Sequence, residues 1–146
     1  MNGLKPKQTR RSLPMALLRA REAVMVNFRP MLSRHDMTEQ QWRVVRVVAE
    51  AGRLDATEVA ARASILAPSL TRMIRSLEER KFIKKRKDAN DGRRVILEIA
   101  PAGIALIERA SPESLAIYDR LEAQFGRAKL DTLLDLLDEL TERKLT

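Results

Sequence analysis

The side chains best equipped for chemistry in this 146-residue sequence are cationic and hydroxylic. Ser69, Thr71, Arg72 and Arg75 are close enough to share one helix; Ser69, Arg72, Ser76 and Glu79 fall on one side of it, with Arg75 beside them. An arginine fork can grip a guanine edge through two hydrogen bonds, a contact worth about 1–3 kcal/mol of discrimination. It can equally hold a phosphate, or pair with Glu78 or Glu79. A second group follows at Lys84, Lys85, Arg86 and Lys87, and Arg93 stands two residues after Asp91. An arginine at a hairpin tip suits a narrow, A·T-rich minor groove. The Asp91 carboxylate can preorganise that guanidinium, or it can serve the turn alone.

Catalytic chemistry has little to work with. There is no cysteine, which removes thiolate nucleophiles, disulfides and cysteine-bound zinc. The one histidine, His35, would carry any imidazole chemistry alone. A metal held by His35, Asp36 and Glu39 would be short of ligands. No glycine-rich phosphate loop occurs, and no carboxylate pair stands beside a base. The sequence therefore reads as a binding protein and not an enzyme, with no cofactor and no metal. No apolar run approaches the roughly 20 residues that span a bilayer, and no secretory apolar stretch follows the basic start, so the expected location is the cytoplasm.

Charge is concentrated. Of the net +8, residues 62–94 hold +7, from eleven basic and four acidic side chains. Residues 1–12 form a basic arm of +4, and residues 95–146 carry −4. A positive segment of this kind attracts phosphate backbones and releases their counterions on binding.

The elements that must position these residues are legible from periodicity and caps. Pro14 opens a helix to about Ser33, with Leu17, Leu18, Met25, Phe28 and Leu32 on its apolar side; Pro30 is expected to end it early. Thr38 and Gln41 make a capping box for a helix that Gly52 stops. Asp55 and Glu58 suggest a second box, opening a short helix from Thr57 to about Ala63. A turn at Ser64-Ile65-Leu66 leads to a helix ending near Arg80, with Leu66, Leu70, Ile74 and Leu77 facing inward. The period then changes. Phe82–Arg86 and Arg94–Ile99 read as strands around the turn residues Asp88-Ala89-Asn90-Asp91-Gly92, giving a β-hairpin. A helix from about Ala102 to Phe125 follows, interrupted at Pro112, and a last one from about Arg127 to Arg143. The expected fold is mainly α with a small β-hairpin wing: a winged helix-turn-helix at 38–99, flanked by helices at 13–33 and 101–145, in a single domain over 1–146.

The stretch Leu77-Glu78-Glu79-Arg80-Lys81-Phe82-Ile83, then Asp88-Ala89-Asn90-Asp91-Gly92-Arg93-Arg94 and Pro101-Ala102-Gly103, resembles the MarR family of regulators. The N-terminal half, with Leu13-Pro14-Met15-Ala16-Leu17-Leu18-Arg19-Ala20-Arg21-Glu22, Phe28-Arg29-Pro30 and Thr38-Glu39-Gln40-Gln41-Trp42-Arg43-Val44, is similar to the subgroup of repressors of homoprotocatechuate (4-hydroxyphenylacetate) degradation operons. The resemblance implies a homodimer on a palindromic operator, with repression relieved by a small aromatic carboxylate such as 4-hydroxyphenylacetate or homoprotocatechuate. It places Ser69, Thr71, Arg72 and Arg75 in a recognition helix and Asp91 and Arg93 in a wing, with Lys84 and Arg86 leading into it. Two departures stand out: Lys81 replaces the usual glycine after the recognition helix, and Ala100 replaces a threonine cap, each worth on the order of 1 kcal/mol.

A twofold axis would pair the terminal helices, whose stripe of Leu130, Leu133, Leu134, Leu137 and Leu140 exceeds what one small domain needs for core. Two recognition helices would then stand about 34 Å apart, one turn of DNA. For the aromatic acid, Trp42 and Arg46 share a helical face, with Arg19, Arg21 and His35 on or just after the preceding helix. The plainer alternative is a core tryptophan, surface arginines and a loop histidine. The alternative for the whole chain is a ligand-independent winged-helix module that binds protein.

Overall fold

The computed structural model describes residues 9–143. Residues 1–8, most of the expected basic arm, and 144–146, the end of the expected C-terminal dimerisation segment, lie outside it. Thr9–Arg11 form a single 3-10 turn. Ser12 caps α1 (Leu13–Arg34), its hydroxyl accepting the Met15 N–H, and Pro14 occupies the first turn, where no N–H is needed. Pro30 does not end this helix. Phe28, Met31 and Leu32 are buried on the same stretch, and that packing outweighs the hydrogen bond the ring removes.

Thr38 and Gln41 close the expected capping box at α2 (Glu39–Ala51), and Gly52 stops it with φ 78°. Asp55 caps α3 (Ala56–Ala63) by accepting the Thr57 N–H at 2.7 Å. Glu58 does not complete a second box; it pairs with Arg62 one turn along the same helix. α4 (Ala67–Glu79) follows after three residues. β2 (Ile83–Lys87) and β3 (Val95–Ile99) form the hairpin, each starting one residue later than expected.

The sheet has a third strand that the pattern did not announce. β1 (Arg53–Asp55) pairs antiparallel with β3, giving the order β1-β3-β2 with Leu54 opposite Leu97 and Lys85 opposite Leu97 from the other side. Three residues are too few to show alternation, so this strand exists only through its partner. The core joins Val44, Val45 and Val48 of α2, Val59 of α3, Leu70, Ile74 and Leu77 of α4, and Ile83 and Leu97 of the sheet. Leu66, expected on the inner face of α4, is instead 77% exposed. It occupies the N-cap position, ahead of the first turn, and the helix has not yet begun to turn it inward.

Three helices end in the same way without glycine. Asp36, Ser64 and Lys81 have φ of 54°, 54° and 63°. In each case the following residue donates back across the last turn: Met37 to Leu32, Ile65 to Ala60 and Phe82 to Leu77, at 2.9–3.0 Å. This hydrogen-bond pair satisfies carbonyls that would otherwise be left unpaired. The left-handed conformation costs an L-residue about 1 kcal/mol relative to glycine. Lys81→Gly is therefore expected to raise stability by roughly 1 kcal/mol, or about 2–4 °C in Tm, read by thermal unfolding.

Contacts divide the chain into two compact units, residues 1–111 and 112–146, with the boundary inside α5 (Pro101–Phe125). α5 runs through Pro112 as one helix. In the second unit, Gly126 at φ 101° separates α5 from α6 (Arg127–Glu142). No residue of α6 is buried, and Leu133, Leu134, Leu136 and Leu140 are exposed.

Candidate nucleic-acid interface

α3, its short turn and α4 form a helix-turn-helix, and the sequence holds that turn in two ways. Ser64 takes the left-handed cap conformation, and Arg43 reaches from α2 to donate Nε–H to the Ala63 carbonyl at 2.9 Å. Arg43 thereby fastens the end of α3 to the core helix. Burial of Leu70, Ile74 and Leu77 fixes the roll of α4, which leaves Thr71, Arg72 and Arg75 exposed and Ser69 half-buried. Thr71 turns its hydroxyl back to donate to the Ala67 carbonyl at 3.0 Å. Arg72 and Arg75 make no ion pair among the described residues, so the alternative that Glu78 or Glu79 neutralises them is not the one adopted.

In the hairpin, Lys84, Lys85, Arg86 and Lys87 are all exposed. Arg86 is partly engaged, with Nη2 2.6 Å from Glu98 Oε2 on the neighbouring strand. An exposed pair of this kind is worth about 0–1 kcal/mol and can be exchanged for a phosphate. At the tip, Asp91 Oδ1 accepts the backbone N–H of Arg93 at 3.0 Å, and the Asp91 carbonyl accepts the Arg94 N–H. The carboxylate thus builds the turn. It does not hold the Arg93 guanidinium, which has no ion-pair partner among the described residues.

The arginine that is held is the next one. Arg94 Nε donates to Asp55 Oδ2 at 2.7 Å, and its Nη1 lies 3.3 Å from Asp88 Oδ2. Asp55 is also the N-cap of α3, so one carboxylate ties the wing to the first helix of the helix-turn-helix. The Arg94 guanidinium, helped by the Thr57 N–H, holds the Asp55 carboxyl below the usual carboxylate range. This link spans 39 residues, and no local spacing signals it.

The five residues expected around an aromatic acid are only partly brought together. The Arg46 guanidinium lies over the Trp42 ring at 5.9 Å, with Glu50 3.7 Å from it. Arg21 is drawn into a cluster that sequence reasoning missed. Its Nη2 lies 2.6 Å from Glu39 Oε2, while Arg29 bonds Glu39 Oε1 at 2.7 Å and both carboxylate oxygens of Glu22 at 2.7–2.9 Å. Arg19 is exposed on α1. His35 caps α1 through its backbone N–H, and its carbonyl accepts from Arg80, whose guanidinium lies over the Phe82 ring at 4.7 Å.

The Glu22–Arg29–Glu39–Arg21 cluster fastens α1 to the start of α2. Hydrogen bonds from Arg21, then Arg29, hold Glu39 below its ordinary 4.5, and Arg29 does the same for Glu22. Depressed carboxylate values mean stability that is fully present above about pH 4.5 and is lost as pH falls through the folded-state values. Glu39→Gln is expected to flatten this acid limb of the Tm–pH curve; an unchanged limb would show that the cluster contributes nothing.

Comparison with known proteins agrees with this geometry. The MarR family model matches residues 37–95, from the end of the α1–α2 link to the start of β3. The chain is 43% identical over 128 residues to the homoprotocatechuate degradative operon repressor of Escherichia coli, covering 88% of this chain and 86% of that one. Among solved structures, NadR in complex with 4-hydroxyphenylacetate is similar at a TM-score of 0.83 and 41% identity, over 95% of this chain and 99% of that one. The repressor CouR bound to a 23-mer DNA duplex is similar at 0.82 and 26% identity, over 97% and 98%. With this identity over nearly its whole length, and with the helix-turn-helix and wing in place, the chain belongs to the MarR family of transcriptional regulators.

Proposed function

We propose that this regulator is a homodimeric repressor of an operon for aromatic-acid breakdown, released from a palindromic operator by a small aromatic carboxylate. One observation carries the DNA reading: Arg72 and Arg75 stand exposed and, among the described residues, unpaired on α4, in the same unit as a wing whose tip arginine, Arg93, is likewise without an ion-pair partner among them. Ser69, Thr71, Arg72 and Arg75 take the major groove. Lys84, Arg86 and Arg93 take phosphate and the minor groove, and Asp91 shapes the tip. The exposed leucines of α6 supply apolar surface for a twofold partner in the second unit, and Leu13, Leu17 and Leu18 of α1 are exposed in the first. Nothing in the residues favours catalysis over this role. No helix among the described residues is long and apolar enough to cross a membrane, which suits a protein working on cytoplasmic DNA.

The effector reading rests on the likeness to NadR in complex with 4-hydroxyphenylacetate and to the homoprotocatechuate operon repressor. Trp42 offers a ring face and Arg46 a cation beside it, the two chemistries an aromatic acid needs. Arg21, Arg19 and His35 lie on or at the end of the neighbouring helix as further polar groups. The test is thermal shift followed by gel-shift release. 4-Hydroxyphenylacetate or homoprotocatechuate is expected to raise Tm and to free the operator. A regulator indifferent to every aromatic acid tried would overturn the effector half while leaving the DNA half intact.

A further inference from the structure

Leu66 is a local anomaly twice over. At 77% it is the most exposed of the large hydrophobic residues described, and it stands at an N-cap, where serine, threonine, aspartate or asparagine would supply a hydrogen bond that leucine cannot. α4 accordingly has no side-chain cap, a lack it shares with α6, although α1, α2 and α3 each have one. Neither feature helps the fold. A residue that breaks local rules without structural compensation marks a functional position. Leu66 lies at the leading end of the recognition helix, the end whose first residues meet base edges in this class of docking. Its neighbours Ala67 and Pro68 are exposed as well, so that end of α4 presents an apolar tip ahead of the arginines.

In the major groove, one feature of the bases is apolar: the 5-methyl group of thymine. We infer that Leu66 is a specificity-determining residue that reads a thymine methyl in each operator half-site, the apolar counterpart of the arginine contacts about two turns further along α4. This rests on the DNA-binding reading above.

The test uses the full-length protein and operator duplexes in which each thymine of a half-site is replaced in turn by deoxyuridine, which deletes the methyl and leaves every hydrogen-bonding group. For the native protein, uracil at one position of the half-site is expected to weaken binding by about three- to tenfold, the loss of one buried methyl contact. Leu66→Ala removes the contact from both half-sites, so it is expected to weaken binding to thymine duplex by about ten- to a hundredfold and to be indifferent to uracil at that position, while keeping the native response everywhere else. Leu66→Ser restores a capping hydroxyl, so it should raise Tm by about 2–4 °C yet show the same loss on DNA. That opposition separates a reading role from a structural one. If the native protein binds its operator but no uracil position loses its effect in Leu66→Ala, the inference is overturned. If the native protein fails to prefer its operator at all, the DNA-binding reading falls first.

Discussion

Arg72→Ala should lower affinity for the operator by about 5- to 150-fold per half-site and relax the choice of base at one position, since a bidentate guanine contact is worth about 1–3 kcal/mol. Arg72 is exposed, its helix is rolled outward by Leu70, Ile74 and Leu77, and no acidic side chain among the described residues pairs with it. In a dimer on a palindrome the loss is taken twice. The same substitution at Arg93 is expected to act differently. An arginine reaching toward phosphate or a narrow minor groove adds to the electrostatic term, so its loss should weaken binding to all duplexes and reduce the salt slope by about one. Fluorescence anisotropy on matched and mismatched duplexes at several salt concentrations separates these outcomes. Full activity in the triple variant at Arg72, Arg75 and Arg93 would favour the protein-interaction module instead.

The largest effect on stability is expected at Gly103. A methyl group there would lie 2.3 Å from the Phe82 carbonyl oxygen and 2.6 Å from Ile99 Cδ1. The first of these is backbone and cannot swing aside, because it is also the acceptor for the Ala100 N–H at 3.0 Å. Gly103→Ala should therefore force the start of α5 away from the base of the wing. Overpacking of this kind costs about 1–3 kcal/mol, and the better helix propensity of alanine returns less than 1. A net loss near 2 kcal/mol corresponds to a fall in Tm of roughly 4–8 °C. Phe82 leads directly into β2, so weaker DNA binding by the folded variant is expected to accompany it.

The same junction shows what could be read in advance and what could not. The caps at Thr38 and Asp55 are legible because they act within three residues, the range over which sequence patterns speak, whereas the Ser12 cap of α1 emerges only from the structure. The hairpin was visible from its turn residues, and the outward set on α4 from the spacing of its buried leucines and isoleucine. β1 was invisible because Arg53–Asp55 is a strand only by pairing with β3. Pro30 misled because burial of Phe28, Met31 and Leu32 overrode a local penalty. Helical spacing places Leu66 inward, but it does not mark where the helix begins, and Leu66 stands at the N-cap. At the tip, the Asp91–Arg93 spacing allows either an ion pair or turn chemistry alone, and the carboxylate takes the second, accepting the nearer backbone N–H. The ion pairs that fix the site, Arg94 with Asp55 and Arg29 with Glu39, join residues on different elements, and only the tertiary fold brings them together.

The most direct measurement is equilibrium binding of the purified protein to duplex DNA from its own upstream region and to a shuffled duplex of the same composition, from 50 to 200 mM salt, values chosen because roughly this range exposes counterion release. The expected result is weakening of both with salt, with the native duplex bound about a thousandfold or more tightly throughout. Equal affinity for the two duplexes at every salt concentration would contradict it.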